Sequence, residues 1–287
     1  MAVKLVLTDM DNTLVAYEIP ASERAIEGIH KLLDKGILFG PASGRDYDSV
    51  VISFRGDRDC VKTVLFSNGK RIFVDGTLMN QTGVDRDSMV RMAEMVYDLP
   101  GVYVSGRGEG GGFVTGSTLP SLLGTTWGGR RAAELVEPKD IPHWTIVTAG
   151  LHFEEGSEGI DNEEWGEKIR KACPKLDLLS PGSRMFDVVP HGWSKASAVR
   201  VIQILMAIDK EEIVAFGDSD NDLEMLKAVG HPVAVANANE RVKAVARHFI
   251  GSVDEDAVGQ ALNDLADLGD AAFDKWDAEA RAKGWMK

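Results

Sequence analysis

Cysteine is scarce in this sequence: Cys60 and Cys173 are the only two, and they stand far apart. They form neither a metal-ligand nor a redox spacing, which excludes a disulfide scaffold and points to a reducing compartment. Both read as small buried hydrophobes. Long apolar runs are missing as well. No stretch approaches the roughly 20 residues a membrane-spanning helix needs, and no charged leader followed by an apolar segment opens the chain. The expectation is a cytoplasmic protein without a membrane partner. Positive charge is also in deficit: 32 Lys plus Arg stand against 45 Asp plus Glu, a net charge of −13. Such a balance argues against non-specific binding to nucleic acid or to an anionic bilayer. An acidic chain can still bind phosphate, given a local cation or directed backbone donors.

What is present is an ordinary globular composition, 44% hydrophobic and 27% charged over 287 residues, a length that favours two domains over one. "KLVLTDMDNTLV" (4–15) opens with an apolar run too continuous for a half-exposed strand and too short for a helix, so it reads as a strand buried in a parallel sheet. Residues 21–34 carry apolar positions at helical spacing, with Ser22 placed to cap and Gly36 to terminate. "ILFGPAS", a short helix over 46–54 and "TVLFSNG" continue a strand–helix alternation that predicts a doubly wound α/β core. "KRIFVDGTLMN" predicts a hairpin turning at Asp75-Gly76.

From residue 82 to 188 the pattern changes. Helices over 84–98 and 162–172 are mixed with strands "VYVS", "GGFVTG", "WTIVTAGLHF", "LDLLS" and "MFDVV", which suggests a separate α+β domain with antiparallel strands. Alternation then resumes to the end. The expected organisation is a core of residues 1–81 and 189–287, interrupted by an inserted domain of residues 82–188.

The chemistry-bearing residues fall at the carboxyl ends of predicted strands, where parallel sheets bind ligands. Asp9 and Asp11 follow the first strand, and at period two they would point to one side. Their repulsion calls for a cation, and magnesium accepts carboxylate oxygens while leaving sites for water and phosphate. Taken alone, the segment reads equally well as a turn, with Asn12 left-handed. "IVAFGDSDND" places Asp218 at another strand end and Asp222 in the following helical start. The same D-x-D-x-D spacing opens a calcium loop, but Leu223 and Val229 replace its required Gly and bidentate Glu. Ser43 ends a further strand, and Lys195 starts a helix. Singly, each has a bland role; together they form a set that chance does not readily supply.

In order, "DMDNT", "SGR", the lysine of "GWSK" and "GDSDND" resemble the four motifs of the haloacid dehalogenase superfamily of phosphohydrolases. The insertion, with "SNG" before it, is similar to that of the Cof-like branch, which carries a type IIB α/β cap. "AVANANERVKAVARHFIGSVDEDAVGQAL" resembles the tail of that branch. Asn12 departs from the Gly common there. The resemblance implies a phosphatase in which Asp9 attacks phosphorus to form a phosphoaspartate and Asp11 serves as acid and then base. It implies Mg2+ held by Asp9, Asp218 and the backbone carbonyl of Asp11, with Asp222 orienting the metal's water shell. Ser43 and Lys195 would hold phosphoryl oxygens, Asn221 would assist either group, and Asn68 and Gly44 would lie on the substrate side. The expected substrate is a small phosphomonoester, a sugar or polyol phosphate or phosphoglycolate, and the expected assembly is a monomer or small homo-oligomer.

Competing readings are a phosphomutase of the same superfamily, a catalytically silent phosphate- or metal-binding protein, and a dinucleotide enzyme using the G-x-G-x-x-G of "SGRGEGG". The last lacks a following helix, so the stretch reads as a flexible hairpin of the inserted domain. His143, His152 and His191 lack metal spacing and read as surface or packed residues. Trp127, Trp144 and Trp193 read as packing residues, although Trp193 and His191 flank the lysine motif. The acidic runs read as solvated faces.

Overall fold

The computed structural model describes residues 2–16, 19–45, 47–117, 133–182 and 184–286. The chain divides into two compact units, Met1–Asn80 with Ser194–Lys287, and Gln81–Trp193. Each has its own hydrophobic cluster.

The first unit is built on a parallel sheet of five strands. β1 (Leu5–Thr8) lies between β2 (Leu38–Pro41) and β12 (Ile213–Gly217), and β13 (His231–Val235) and β14 (His248–Ile250) extend the β12 side. β1 and β12 are buried along their whole length, as their continuous apolar sequences require. Helix α1 (Glu23–Asp34) starts where Ser22 accepts the N–H of Ala25 and stops just before Gly36, whose φ is +74°. Helices α2 (Tyr47–Ser53), α5 (Lys195–Met206), α6 (Leu223–Lys227), α7 (Glu240–Val245), α8 (Ala257–Leu268) and α9 (Ala271–Ala282) complete the unit. The expected doubly wound α/β core is present.

One strand departs from expectation. β3 (Val64–Phe66) joins not the five-stranded sheet but a three-stranded one with β4 (Arg71–Val74) and β5 (Thr77–Gln81). Among the described residues a single bridge, Ala42–Leu65, joins it to the end of β2, and Ser67 and Asn68, at φ +53° and +58°, then turn the chain into β4. β4 and β5 are joined by the expected turn, with Asp75 and Gly76 both left-handed at +46° and +75°.

The second unit carries a six-stranded sheet in the order β10, β11, β9, β6, β7, β8. These are β6 (Val102–Gly108), β7 (Gly111–Gly116), β8 (Ala133–Leu135), β9 (Thr148–Phe153), β10 (Leu176–Gly182) and β11 (Met185–Pro190). Helices α3 (Arg86–Val96) and α4 (Asn162–Ala172) pack their apolar residues with those of the sheet, among them Met89, Met92 and Ile169 with Val104, Leu151 and Phe186. The pairing is antiparallel except between β7 and β8, which run parallel. β9 begins at Thr148, later than the apolar run from Trp144 suggests. β11 runs on through Pro190, past Val188.

The glycines of "SGRGEGGG" have a packing explanation. They form the β6–β7 hairpin, and a Cβ at Gly108 or Gly110 would meet the Trp144 ring at 2.5 or 2.3 Å. A strand, β7, rather than a helix opens at Gly111, so the dinucleotide context is missing. Trp144 therefore packs as expected, whereas Trp127 lies outside the described residues. Among the described residues no helix is long and apolar enough to cross a membrane. Cys60 and Cys173 are both free and buried.

Candidate active site

β1 and β12 are parallel neighbours ending side by side, with Thr8 opposite Phe216, and the amide of Asp9 bonds the carbonyl of Phe216 at 3.0 Å. The acids that follow the two strands, Asp9 and Asp218, are thereby brought together. Lys195, the first residue of α5, supplies the cation. Its Nζ lies 2.5 Å from Asp9 Oδ1 and 2.7 Å from Asp222 Oδ1, with the lysine side chain 1% exposed. Asp222 is held by the chain itself: its Oδ2 accepts the amides of Asp218 and Ser219 at 3.1 and 3.3 Å. That cradle needs glycine at position 217, where a Cβ would fall 2.7 Å from Asp222 Cβ.

Carboxylate oxygens of Asp9, Asp218 and Asp222 lie within 4.8 Å of one another. Three acids share one ammonium, and the imbalance is visible in their titration. Burial, together with the charge of Asp222, pushes Asp9 up to about 7, against the pull of Lys195. Burial and the same neighbour push Asp218 up to about 6. For Lys195 burial opposes the charge, but Asp222 and Asp9 outweigh it and hold the ammonium above the ordinary lysine range. Hard carboxylate oxygens carrying excess negative charge suit a hard divalent cation. A second group with ligand atoms close together, His30, Asp57 and Cys60, has His30 Nε2 already on Asp57 Oδ2 at 2.8 Å, and burial pushes its thiol up to about 12.

Asp11 departs from the expected arrangement. Its carboxylate is not in the Asp9 cluster but is forked by Arg45, whose Nε donates to Oδ2 at 3.0 Å and whose Nη2 donates to Oδ1. Arg45 Nη1 meanwhile donates to Ser53 Oγ at 2.9 Å. Period-two alternation fails here because the strand ends at Thr8. Leu14 and Val15 both bond back to the carbonyl of Met10, and Asn12 is left-handed at φ +59°, as expected. Asp11 stays close enough for its charge to raise Asp218.

The remaining predicted residues surround this centre unevenly. Ser43 is buried, and its Oγ accepts the amide of Arg45 at 3.1 Å. The Ser43 carbonyl accepts the amide of Asn68 at 2.9 Å and the Arg45 carbonyl that of Ser67 at 3.1 Å, which docks the left-handed Ser67–Asn68 turn on either side of Gly44 in the chain. Asn221 is turned back on its own loop, its Oδ1 accepting Ser219 Oγ at 2.8 Å. Three supporting residues escaped sequence reasoning. Thr13 Oγ1 donates to Asp218 Oδ1 at 2.9 Å, Arg45 forks Asp11, and Asn237 Nδ2 ties down the Asn12 carbonyl at 2.7 Å. Thr13 and Arg45 lie inside "DMDNT" and "SGR", and Asn237 inside the tail segment "AVANANERV", so the motifs held a usable signal for all three.

Comparison with known proteins places the chain in a family. The family model for haloacid dehalogenase-like hydrolases matches residues 6–262. A 5-amino-6-(5-phospho-D-ribitylamino)uracil phosphatase of Escherichia coli is 25% identical over 90% of this chain and 94% of its own. An HMP-PP phosphatase of Klebsiella pneumoniae is 27% identical over 94% of this chain and 98% of its own. Among solved structures, a sugar phosphatase of subclass IIB superposes with a TM-score of 0.74 at 21% identity, over 91% of this chain and 98% of that one. A Streptococcus mutans protein superposes at 0.76 with 22% identity, over the same 91% and 98%. These two likenesses speak for the fold alone.

Proposed function

The chain belongs to the haloacid dehalogenase-like hydrolases, and on that premise we propose that it is a Mg2+-dependent phosphatase of small phosphomonoesters, working through a phosphoaspartate. The observation carrying this reading is the buried Asp9 at the end of the central strand, oriented by Lys195 and flanked by Asp218. Lys195 engages Asp9 Oδ1, which leaves Oδ2 to attack phosphorus in line. Asp9, Asp218 and the Asp11 carbonyl would hold the cation, which when bound keeps Asp9 ionised and offsets phosphoryl charge. Asp222 anchors Lys195 and the Asp218 loop and would orient the cation's water shell.

Lys195 and the Ser43 hydroxyl would receive the equatorial phosphoryl oxygens. Asn221 would reach phosphate or the cation's water shell after releasing Ser219 Oγ, and Asn68 and Gly44 would border the substrate. Asp11 protonates the departing alkoxide and then takes a proton from the water that opens the phosphoaspartate. For that it must release one oxygen from Arg45, whose fork otherwise holds it oriented. A sugar or polyol phosphate is the favoured substrate class, supported by the ribityl phosphate in the name of the E. coli relative. Specificity is assigned to the Gln81–Trp193 unit, because the motif residues recognise only the phosphoryl group.

Rapid mixing of an Asp11→Asn variant with p-nitrophenyl phosphate tests the scheme. The aryl leaving group needs no acid, whereas opening the phosphoenzyme needs the base, so a burst of nitrophenolate near one equivalent should precede slow turnover. Asp9→Asn should be inactive on every ester. Activity retained by Asp9→Asn, or parent rates for Asp11→Asn on aryl and alkyl esters alike, would overturn the assignment. Release of inorganic phosphate without a bisphosphate primer separates hydrolysis from the mutase reaction.

A further inference from the structure

A cavity of about 560 Å³ in the first unit is used by none of the residues above. It is lined by Tyr47, Asp48, Arg58, Val61, Lys62, Arg71, Phe73 and Gly76. Three of its side chains are cationic in a chain whose net charge is −13, and one is acidic. Lys62 is paired with Asp59 at 2.8 Å, but Arg58 and Arg71 make no ion pair among the described residues. Arg71 is the more telling, because its Nε is buried and no described group accepts its hydrogen bond. Buried donors are almost always paired, so an orphaned guanidinium N–H beside a cavity is a place where an oxygen belongs.

The rest of the wall is aromatic. Tyr47 and Phe73 each meet Phe66 edge-on, with centroids 5.4 and 6.0 Å apart, and the Arg71 guanidinium lies 5.3 Å from the Phe73 centroid. Those contacts fix the two rings against the core. A cation beside one of these fixed rings suits a flat ligand bearing an anionic group, and the volume is that of an ordinary small-molecule site.

We propose that this cavity is a second binding site, separate from the phosphoryl-transfer centre, for a small planar anion: a ring compound carrying a phosphate or carboxylate whose oxygens pair with Arg71 and Arg58. The anion takes the orphaned Nε–H of Arg71 and the exposed guanidinium of Arg58, while the ring lies against Tyr47 and Phe73. The charged contact makes affinity fall with rising salt.

Isothermal titration of the otherwise intact Asp9→Asn protein, which removes turnover, tests the site with AMP, nicotinate, adenosine and inorganic phosphate. AMP or nicotinate should bind at one equivalent, at least tenfold tighter than adenosine or inorganic phosphate, and the pair reveals which anion is preferred. Arg71→Met and, independently, the exposed Arg58→Gln should each weaken binding at least tenfold. Adding Lys195→Ala should leave that binding unchanged. The proposal fails if neither ring anion binds at millimolar concentration, if adenosine binds as tightly as they do, or if Lys195→Ala abolishes the binding. Should Arg71→Met melt early, Arg58→Gln decides the matter, and unchanged affinity in that variant overturns the proposal.

Discussion

Replacing Lys195 by Met tests the electrostatic account of the site most directly. The substitution roughly conserves shape and removes the one ammonium that Asp9 and Asp222 share, in a place where the lysine and Asp222 side chains are 1% and 0% exposed. Solvent cannot screen what remains. Removing one partner of a buried pair costs about 3–5 kcal/mol, because the other charge is stranded. At about 2–4 °C per kcal/mol for a unit of this size, the melting temperature should fall by roughly 6–20 °C at neutral pH. The loss should shrink near pH 4.5, where Asp9, pushed up to about 7 by burial even beside Lys195, is protonated. Pairing Lys195→Met with Asp9→Asn should recover part of it, since neighbouring substitutions that share a partner are not additive. Calorimetric melts of the four proteins of this cycle, at pH 7.5 and pH 4.5 without divalent cations, provide the numbers. A fall of less than about 2 °C for Lys195→Met at pH 7.5, or an equal fall at both pH values, would mean that the buried triad does not carry the charge balance described here.

Without metal, the raised pKa values of Asp9 and Asp218, about 7 and about 6, have a defined sign. The folded state binds more protons than the unfolded one between pH 4 and 7, so their contribution makes stability fall as pH rises through that window. Asp218→Asn should flatten that fall in urea melts taken at several pH values, and Mg2+ should oppose it; a parent-like slope in the variant would refute the cause. Gly217→Ala drives a methyl to within 2.7 Å of Asp222 Cβ and should cost about 1–3 kcal/mol while lowering turnover; an undiminished kcat would show that the cradle tolerates displacement. Arg45→Met should slow alkyl phosphate esters more than p-nitrophenyl phosphate, roughly tenfold, because only the former need Asp11 as an oriented acid. Equal effects on both esters would count against that role. Replacing residues 81–193 by a short linker should leave weak, unselective hydrolysis, checked by phosphate release over a substrate panel.

The fold was legible where local and global preferences coincide. Leu5–Thr8 and Ile213–Gly217 are largely apolar runs buried as parallel strands, and α1 is delimited by Ser22 and Gly36, whose caps act through nearby backbone groups. Legibility failed where partner choice is decided at a distance. Val64–Phe66 has the composition of a central strand, yet a left-handed Ser67 and Asn68 divert it into the hairpin sheet. No propensity favours that conformation for serine, and it is held by backbone bonds from Ser67 to Arg45 and from Asn68 to Ser43. β8, three residues long and parallel to its neighbour, has too short a pattern to announce its direction.

For the site, the ends of strands could be read but the pairing of charges could not. Asp9, Asp218, Asp222 and Lys195 converge because two parallel strands end in register and one helix begins beside them, and that topology follows from apolar patterning. The direction of the Asp11 carboxylate was not legible, for a different reason. Its direction was inferred by extending the strand period beyond Thr8, whereas three residues with no apolar signature set its position. The Asn12 turn redirects the chain, Asn237 fixes the carbonyl of that turn, and Arg45 competes for the carboxylate with a bidentate geometry a lysine could not offer. Under the proposed scheme that fork holds Asp11 oriented apart from the Asp9 cluster, and the acid step requires one of its oxygens to leave Arg45.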